Sequence, residues 1–405
     1  MPQTILFVDE EKFVHKALKR SFRKMREEWD MRFSASPSEA MEILNQEPID
    51  VVVTETVFQG QSGLDFLKVV RERHPNSVRI ILSGYSDQDV ILESVDLAHQ
   101  YLSKPCEDDA LKATINRAFM MKELLKHRAL KEIVSQIDSL PTLPAIYVEL
   151  VDELESEDAS IEKIGDIISK DIGLTVKILK MVNSSFFGLR QQITSPAKAV
   201  SLLGLDLIKA IVLTHGTFDK FKNLKYPGLS LEQMWEHAMI TGALAKIIAK
   251  EGGLDRKASD TAFMAGLLHD IGRLLIAAYL PDSYRVIAKR IEEKSISMVA
   301  AETEIIGTTH AAVGAYLIGL WGLPDDILEA AAFHHTPRQS RGKNLNTATI
   351  VHLANAFANR GQAVRQPGDR FEELDYAYLE EANILPNLED FWAACADHLV
   401  VEEPV

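Results

Sequence analysis

Cysteine is scarce in this chain, with only Cys106 and Cys395 in 405 residues. A secreted scaffold stapled by disulfides is thereby excluded, and a reducing compartment is expected. An excess of positive charge is also missing. Lys and Arg number 44 against 59 Asp and Glu, a net charge of −15, which opposes general attraction to phosphate backbones and anionic membranes. Neither nucleic acid nor membrane is expected as a partner. No apolar run of spanning length stands uninterrupted, because the longest, Thr261 to Leu280, is broken by His269, Asp270 and Arg273. Met1 to Val8 has neither the basic start nor the cleavage site of a secretory signal. A cytoplasmic location is expected. What is present is the composition of a folded protein, 46% hydrophobic and 25% charged, at a length that suits two or three domains.

Apolar runs recur between amphipathic segments at Thr4–Val8, Met31–Ala35, Asp50–Thr54, Arg79–Ser83 and Gln100–Ser103. This pattern predicts five βα units and a doubly wound α/β domain whose parallel sheet is covered on both faces. Such sheets place their chemistry at the carboxyl ends of the strands. Asp9 and Glu10 follow the first strand, Glu55 the third, Ser83 ends the fourth and Lys104 follows the fifth. Clustered carboxylates suit a hard cation such as Mg²⁺, a hydroxyl suits a phosphoryl oxygen, and a lysine neutralises the remaining charge.

Through ILFVDEE, DVVVTETVFQGQSG, RIILSGYSD and YLSKP the first 120 or so residues resemble the receiver domain of two-component response regulators. The resemblance implies that Asp9 and Glu10 are the metal-binding acids, Ser83 the switch hydroxyl, Tyr101 the switch aromatic and Lys104 the conserved lysine. Glu55 stands where the phosphorylated Asp is expected, and Gln59 stands where receivers usually have Pro. Glu55 fills part of the space of a phospho-Asp with less than its charge of roughly −1.5 to −2. Two readings stay open: a switch fixed in one state, or a decayed domain kept for docking.

From Glu107 the apolar positions Leu111, Ile115, Phe119, Leu124, Leu125, Leu130, Ile133 and Ile137 predict a long helix that ends at Leu140-Pro141. Its spacing holds no strict heptad. Residues 122–139 are read as a helical connector that packs within its own chain or pairs two copies in a homodimer. From 140 to about 359 the pattern is helical, with periodic segments at Ser160–Ser169, Leu174–Asn183, Pro196–Leu203, Asp206–Phe218, Leu231–Lys250 and Thr261–Leu280. Residues 360–405 read as a closing helix with Phe391, Trp392 and Leu399, then a frayed acidic end.

The helical domain holds His237, His269, Asp270, His310, His334 and His335, more imidazole than an apolar domain needs. Any one buried His is more often a hydrogen-bonded core residue than a ligand, whereas the set suits a divalent transition metal that activates water toward a phosphate ester. WEHAMITGALAKIIA, AGLLHDIGRLL, GTTHAAVGAYLIGLWGLP and AAFHHTP resemble the HD superfamily of metal-dependent phosphohydrolases. NSSFFG, the ITSP…LLGLDLI segment and the absence of a GYP-type sequence after His335 point to its HD-related output, or HDOD, branch. In VHLANAFAN the last Asp ligand of catalytic HD domains is replaced by Asn355. The resemblance implies a non-catalytic output or scaffold module. The expected function is a response-regulator-like signalling protein acting through protein contacts, with a histidine kinase or cyclic-di-GMP enzymes among the partners. The alternative is a hydrolase of a nucleotide or cyclic dinucleotide in which His269 and Asp270 are catalytic.

Overall fold

The computed structural model describes residues 2–59, 61–84, 97–125, 130, 144–156, 158–182, 193–222, 229–360, 370–396, 398 and 399. They form two compact units, one centred on residues 1–139 and one on residues 140–405.

In the first unit β1 (Gln3–Val8), β2 (Trp29–Ser34), β3 (Val51–Thr54), β6 (Val78–Ser83) and β7 (Gln100–Ser103) form one parallel sheet in the order β2-β1-β3-β6-β7. The inner strands are apolar along their length because helices cover both faces. Ile5, Leu6, Val51, Val52, Val78, Ile80 and Ile81 are completely buried, each contributing roughly 1.5–3 kcal/mol relative to exposure. The helices are α1 (Lys12–Ser21), α2 (Pro37–Gln46), α3 (Gly63–Arg73) and α4 (Asp108–Leu125). Ser36 starts α2 by accepting the Glu39 N–H at 3.2 Å while Glu39 accepts the Ala35 N–H at 2.8 Å, a reciprocal cap. The register pairs Val8 with Thr54, Thr54 with Ile81 and Ser83 with Ser103. Residues 9, 55, 84 and 104 therefore emerge along one edge.

The α/β fold and all five strands agree with expectation to within two residues. The short hairpin of β4 (Val57–Phe58) and β5 (Gln61–Ser62) was not foreseen; two-residue strands carry no periodicity to read. Beyond Leu125 only Leu130 of the expected connector is described, and NSSFFG lies outside the described residues.

The second unit is helical: α5 (Ala145–Glu155), α6 (Ile161–Ser169), α7 (Ile172–Val182), α8 (Pro196–Leu203), α9 (Leu205–Lys220), α10 (Leu231–Glu251), α11 (Arg256–Leu268), α12 (Ile271–Tyr279), α13 (Pro281–Lys294), α14 (Met298–Ile306), α15 (His310–Leu320), α16 (Asp325–Phe333), α17 (Thr347–Arg360), α18 (Tyr376–Glu381) and α19 (Leu388–Ala396). Ser230, Asp255 and Ser297 cap α10, α11 and α14. Leu244, Ile248, Ile350, Leu353 and Phe357 make a core that Tyr378, Leu379 and Phe391 of α18 and α19 close.

One expectation is corrected. Thr261–Leu280 is not a continuous helix, since α11 ends at Leu268 and α12 begins at Ile271. His269 Nδ1 bonds the Gly266 carbonyl at 2.7 Å, the acceptor that a continuing helix would offer to the Asp270 N–H. Arg256–Tyr279 is long and apolar enough to cross a membrane by length and composition, but 72% of its most apolar window is buried inside the protein.

Candidate functional site

Two groups of polar residues stand out, one in each unit. At the sheet edge of the first unit, Lys104 Nζ lies 2.6 Å from Asp9 Oδ2 and also bonds Glu55 Oε2. The other Glu55 oxygen accepts the Gly84 N–H at 3.2 Å. Burial would lower the Lys104 ammonium, but Asp9 and Glu55 outweigh it and raise its pKa above the ordinary value. Ser83 Oγ shares a buried 2.7 Å hydrogen bond with Thr56 Oγ1. Gly63 holds the loop close, because a Cβ there would stand 2.0 Å from the Glu55 carbonyl oxygen.

Glu10 is engaged as well: its Oε2 accepts the Gln59 N–H at 3.0 Å. Proline has no N–H to donate, so the departure at position 59 is what makes this bond available. Asp9 Oδ1 accepts the Glu11 N–H at 2.8 Å. Asp9, Glu10, Glu55, Ser83 and Lys104 are thus brought to one edge. Tyr101 lies on β7, its side chain outside the described residues. Among the described residues, the two groups of three or more ligand residues close enough to share an ion are both in the second unit.

In the second unit the break after α11 places His269 and Asp270 against His237 of α10, His310 at the start of α15, and His334 and His335 just after α16. The ligand atoms fall into two groups: Asp270, His310, His334 and His335, and His237, His269 and Asp270, each within 4.8 Å. Asp270 belongs to both. Its Oδ1 lies 3.2 Å from His310 Nε2, 3.5 Å from His269 Nε2 and 3.6 Å from His334 Nε2. Its Oδ2 accepts from Arg273 Nη1 at 2.9 Å.

The backbone sets the tautomers. His269 Nδ1 bonds the Gly266 carbonyl and His334 Nδ1 the Ala331 carbonyl at 2.9 Å, so each ring carries its proton on Nδ1 and turns a lone pair outward at Nε2. Both Nε2 atoms are buried without a hydrogen-bond partner. Leaving such acceptors unpaired costs about 1–3 kcal/mol each, and a metal ion is the partner that histidines so oriented suit. Burial depresses the pKa of His334 well below the ordinary value, that of His335 to about 3 and that of His237 to about 4, which keeps these rings neutral as ligation requires. Burial opposes the charged forms of His310 and Asp270. Glu302 and Asp270 nevertheless raise His310 to about 9, while His269, Arg273 and His310 hold Asp270 well below the carboxylate range.

Asn355 enters the site through its Oδ1, which accepts from His237 Nε2 at 3.0 Å. Sequence reasoning missed two supporting residues. Glu302, 1% exposed, accepts from His310 Nδ1 at 2.7 Å and from the His310 N–H at 2.9 Å. His352 donates from Nδ1 to the His334 carbonyl at 2.7 Å and accepts the Asp375 N–H at 3.1 Å. The only available signal was two acids, Glu302 and Glu304, and one imidazole in the apolar patterns VAAETEII and IVHLANAF.

Residues 5–116 match the family model for the response regulator receiver domain, and residues 140–337 match that for the HDOD domain. An uncharacterized protein of Treponema pallidum is 28% identical over 203 residues, 50% of this chain and 39% of its own. The hydrogenase transcriptional regulatory protein HoxA of Cupriavidus necator is 38% identical over 117 residues, 28% of this chain and 24% of its own. The chain thus spans well under half the length of these curated relatives. The crystal structure of an HDOD domain protein with unknown function from Geobacter sulfurreducens is similar with a TM-score of 0.48 and 26% identity, over 68% of this chain and 98% of that one.

Proposed function

We propose that this chain, a response regulator receiver domain followed by an HDOD domain, is a cytoplasmic signalling protein. In this reading the receiver is fixed in one state and the HDOD domain acts by binding other signalling proteins. The observation that carries it is the double hold on Glu55, by Lys104 and by the Gly84 N–H. Those groups would otherwise be free for an incoming phosphoryl oxygen. Lys104, Gly84 and the Glu10–Gln59 bond together tie down an edge that phosphotransfer needs open. The net charge of −15 argues against nucleic acid as the direct target. Incubation of the full chain with radiolabelled acetyl phosphate and Mg²⁺ tests it: no incorporation is expected, and stoichiometric labelling overturns it.

A second reading is favoured by one specific observation, the paired unpartnered Nε2 atoms of His269 and His334. Asp270, His310, His334 and His335, with His269 and His237 alongside, fit a divalent transition metal by type, tautomer and burial. A bound ion would supply Lewis acidity toward a phosphate oxygen and a more acidic water. Hydrolysis of a nucleotide or cyclic dinucleotide that is abolished in Asp270→Ala would support this reading.

A further inference from the structure

The two ligand groups of the histidine cluster have the outline of a two-ion site, because they meet at one carboxylate, Asp270. Ions in such pairs sit roughly 3.5–4 Å apart, and a carboxylate that bridges them gives one oxygen to each. Asp270 has only one oxygen to give. Oδ1 faces His310, His269 and His334, while Oδ2 is held by Arg273 at 2.9 Å. The Arg273 guanidinium also interacts with Tyr284.

The two lobes are also unequal. His310 is oriented from behind by Glu302, its Nε2 lies 3.1 Å from His335 Nε2, and His334 presents a free Nε2, so the lobe of Asp270, His310, His334 and His335 gathers four ligand residues around one point. The other lobe has three ligand residues, and although His269 also presents a free Nε2, His237 Nε2 is spent on Asn355, an amide that brings no charge. A second dication there would meet the Arg273 guanidinium with no carboxylate of its own.

We infer that Arg273 limits this site to a single metal ion, held by Asp270, His310, His334 and His335, by occupying the Asp270 oxygen that a second ion would need. The inference rests on the metal-holding reading of the cluster. It assigns a positioning role to Arg273, which acts through its bond to Asp270.

The test is metal stoichiometry in the full-length protein, reconstituted with Mn²⁺ and freed of excess ion, measured by elemental analysis and electron paramagnetic resonance. The wild type is expected to hold one Mn²⁺ per chain with the signal of an isolated ion. Asn355→Asp, which restores a carboxylate to the second lobe, should still hold one. Arg273→Gln combined with Asn355→Asp should hold two, with the broadened signal of a coupled pair. Two ions in the wild type or in Asn355→Asp overturn the inference, as does one ion in a folded double variant. Should that double variant fail to fold, the wild-type and Asn355→Asp counts still decide. No Mn²⁺ in any protein overturns the inference together with the metal-holding reading, an outcome distinct from a count of two.

Discussion

Replacing Gly272 by alanine would place a methyl group 2.0 Å from the His310 carbonyl oxygen, 2.6 Å from the Gly314 nitrogen and 2.8 Å from the His310 carbonyl carbon. All three neighbours are backbone, so no side chain can rotate away. Restoring an ordinary contact near 3.4 Å requires α12 and α15 to separate by about 1.4 Å. Overpacking of this kind costs about 1–3 kcal/mol, and the upper end applies where the obstacle is main chain. The better helix propensity of alanine returns about 1 kcal/mol. The net loss is ~2 kcal/mol, which for a unit of this size lowers Tm by about 4–8 °C. Because Gly272 lies between Asp270 and Arg273 and its obstacle is His310 itself, the same shift would also open the cluster. Thermal unfolding of the full chain is the assay, with Gly314→Ala as companion, whose added atom stands 3.0 Å from the Gly272 nitrogen and should cost less. A Gly272→Ala protein as stable as the wild type would refute the close approach of these helices.

Three further expectations concern named side chains. Glu55→Asp combined with Gln59→Pro draws the carboxylate back by one methylene and removes the N–H that holds Glu10, and the double variant should incorporate phosphate from acetyl phosphate where the wild type does not; an inert double variant would mean that other changes closed the site. Glu302→Gln keeps the shape but removes the charge behind His310, so Mn²⁺ affinity by titration calorimetry should fall about 10–100-fold, and unchanged affinity would remove Glu302 from the site. Lys246 Nζ meets Asp260 Oδ1 at 2.6 Å with both side chains nearly buried; Lys246→Met should cost about 3–5 kcal/mol in urea unfolding, toward the lower figure because Arg256 Nε stands 3.7 Å from the other Asp260 oxygen. Lys246→Met with Asp260→Leu should recover most of that loss.

The sheet was legible because strands buried on both faces are mostly apolar, and Val51–Thr54 and Val78–Ser83 are buried along their length with only Thr54, Arg79 and Ser83 polar among them. Its edge residues followed from the strand ends. The contacts among them did not, since nothing in the sequence says that Ser83 turns to Thr56 or that Gln59 donates to Glu10. In the helical domain the histidines announced themselves by number, but the break at His269 was hidden. The stretch from Thr261 to Leu280 keeps helical periodicity across it, and the ring bond to Gly266 that accompanies the break is a tertiary choice. Glu302 was invisible for a related reason: an acid in a helix reads as solvent-facing, as its neighbour Glu304 is, until the burial of Glu302 beside His310 is seen.

The HDOD domain is proposed to transmit a signal without turning over a substrate. The most direct measurement is product release by the full-length protein, loaded in turn with Mn²⁺, Fe²⁺ and Zn²⁺, across nucleoside mono-, di- and triphosphates and cyclic dinucleotides. No turnover is expected with any of them, alongside a metal content that falls in Asp270→Ala and His334→Ala. Steady hydrolysis of one substrate, lost in Asp270→Ala, would contradict it and make the domain a phosphohydrolase.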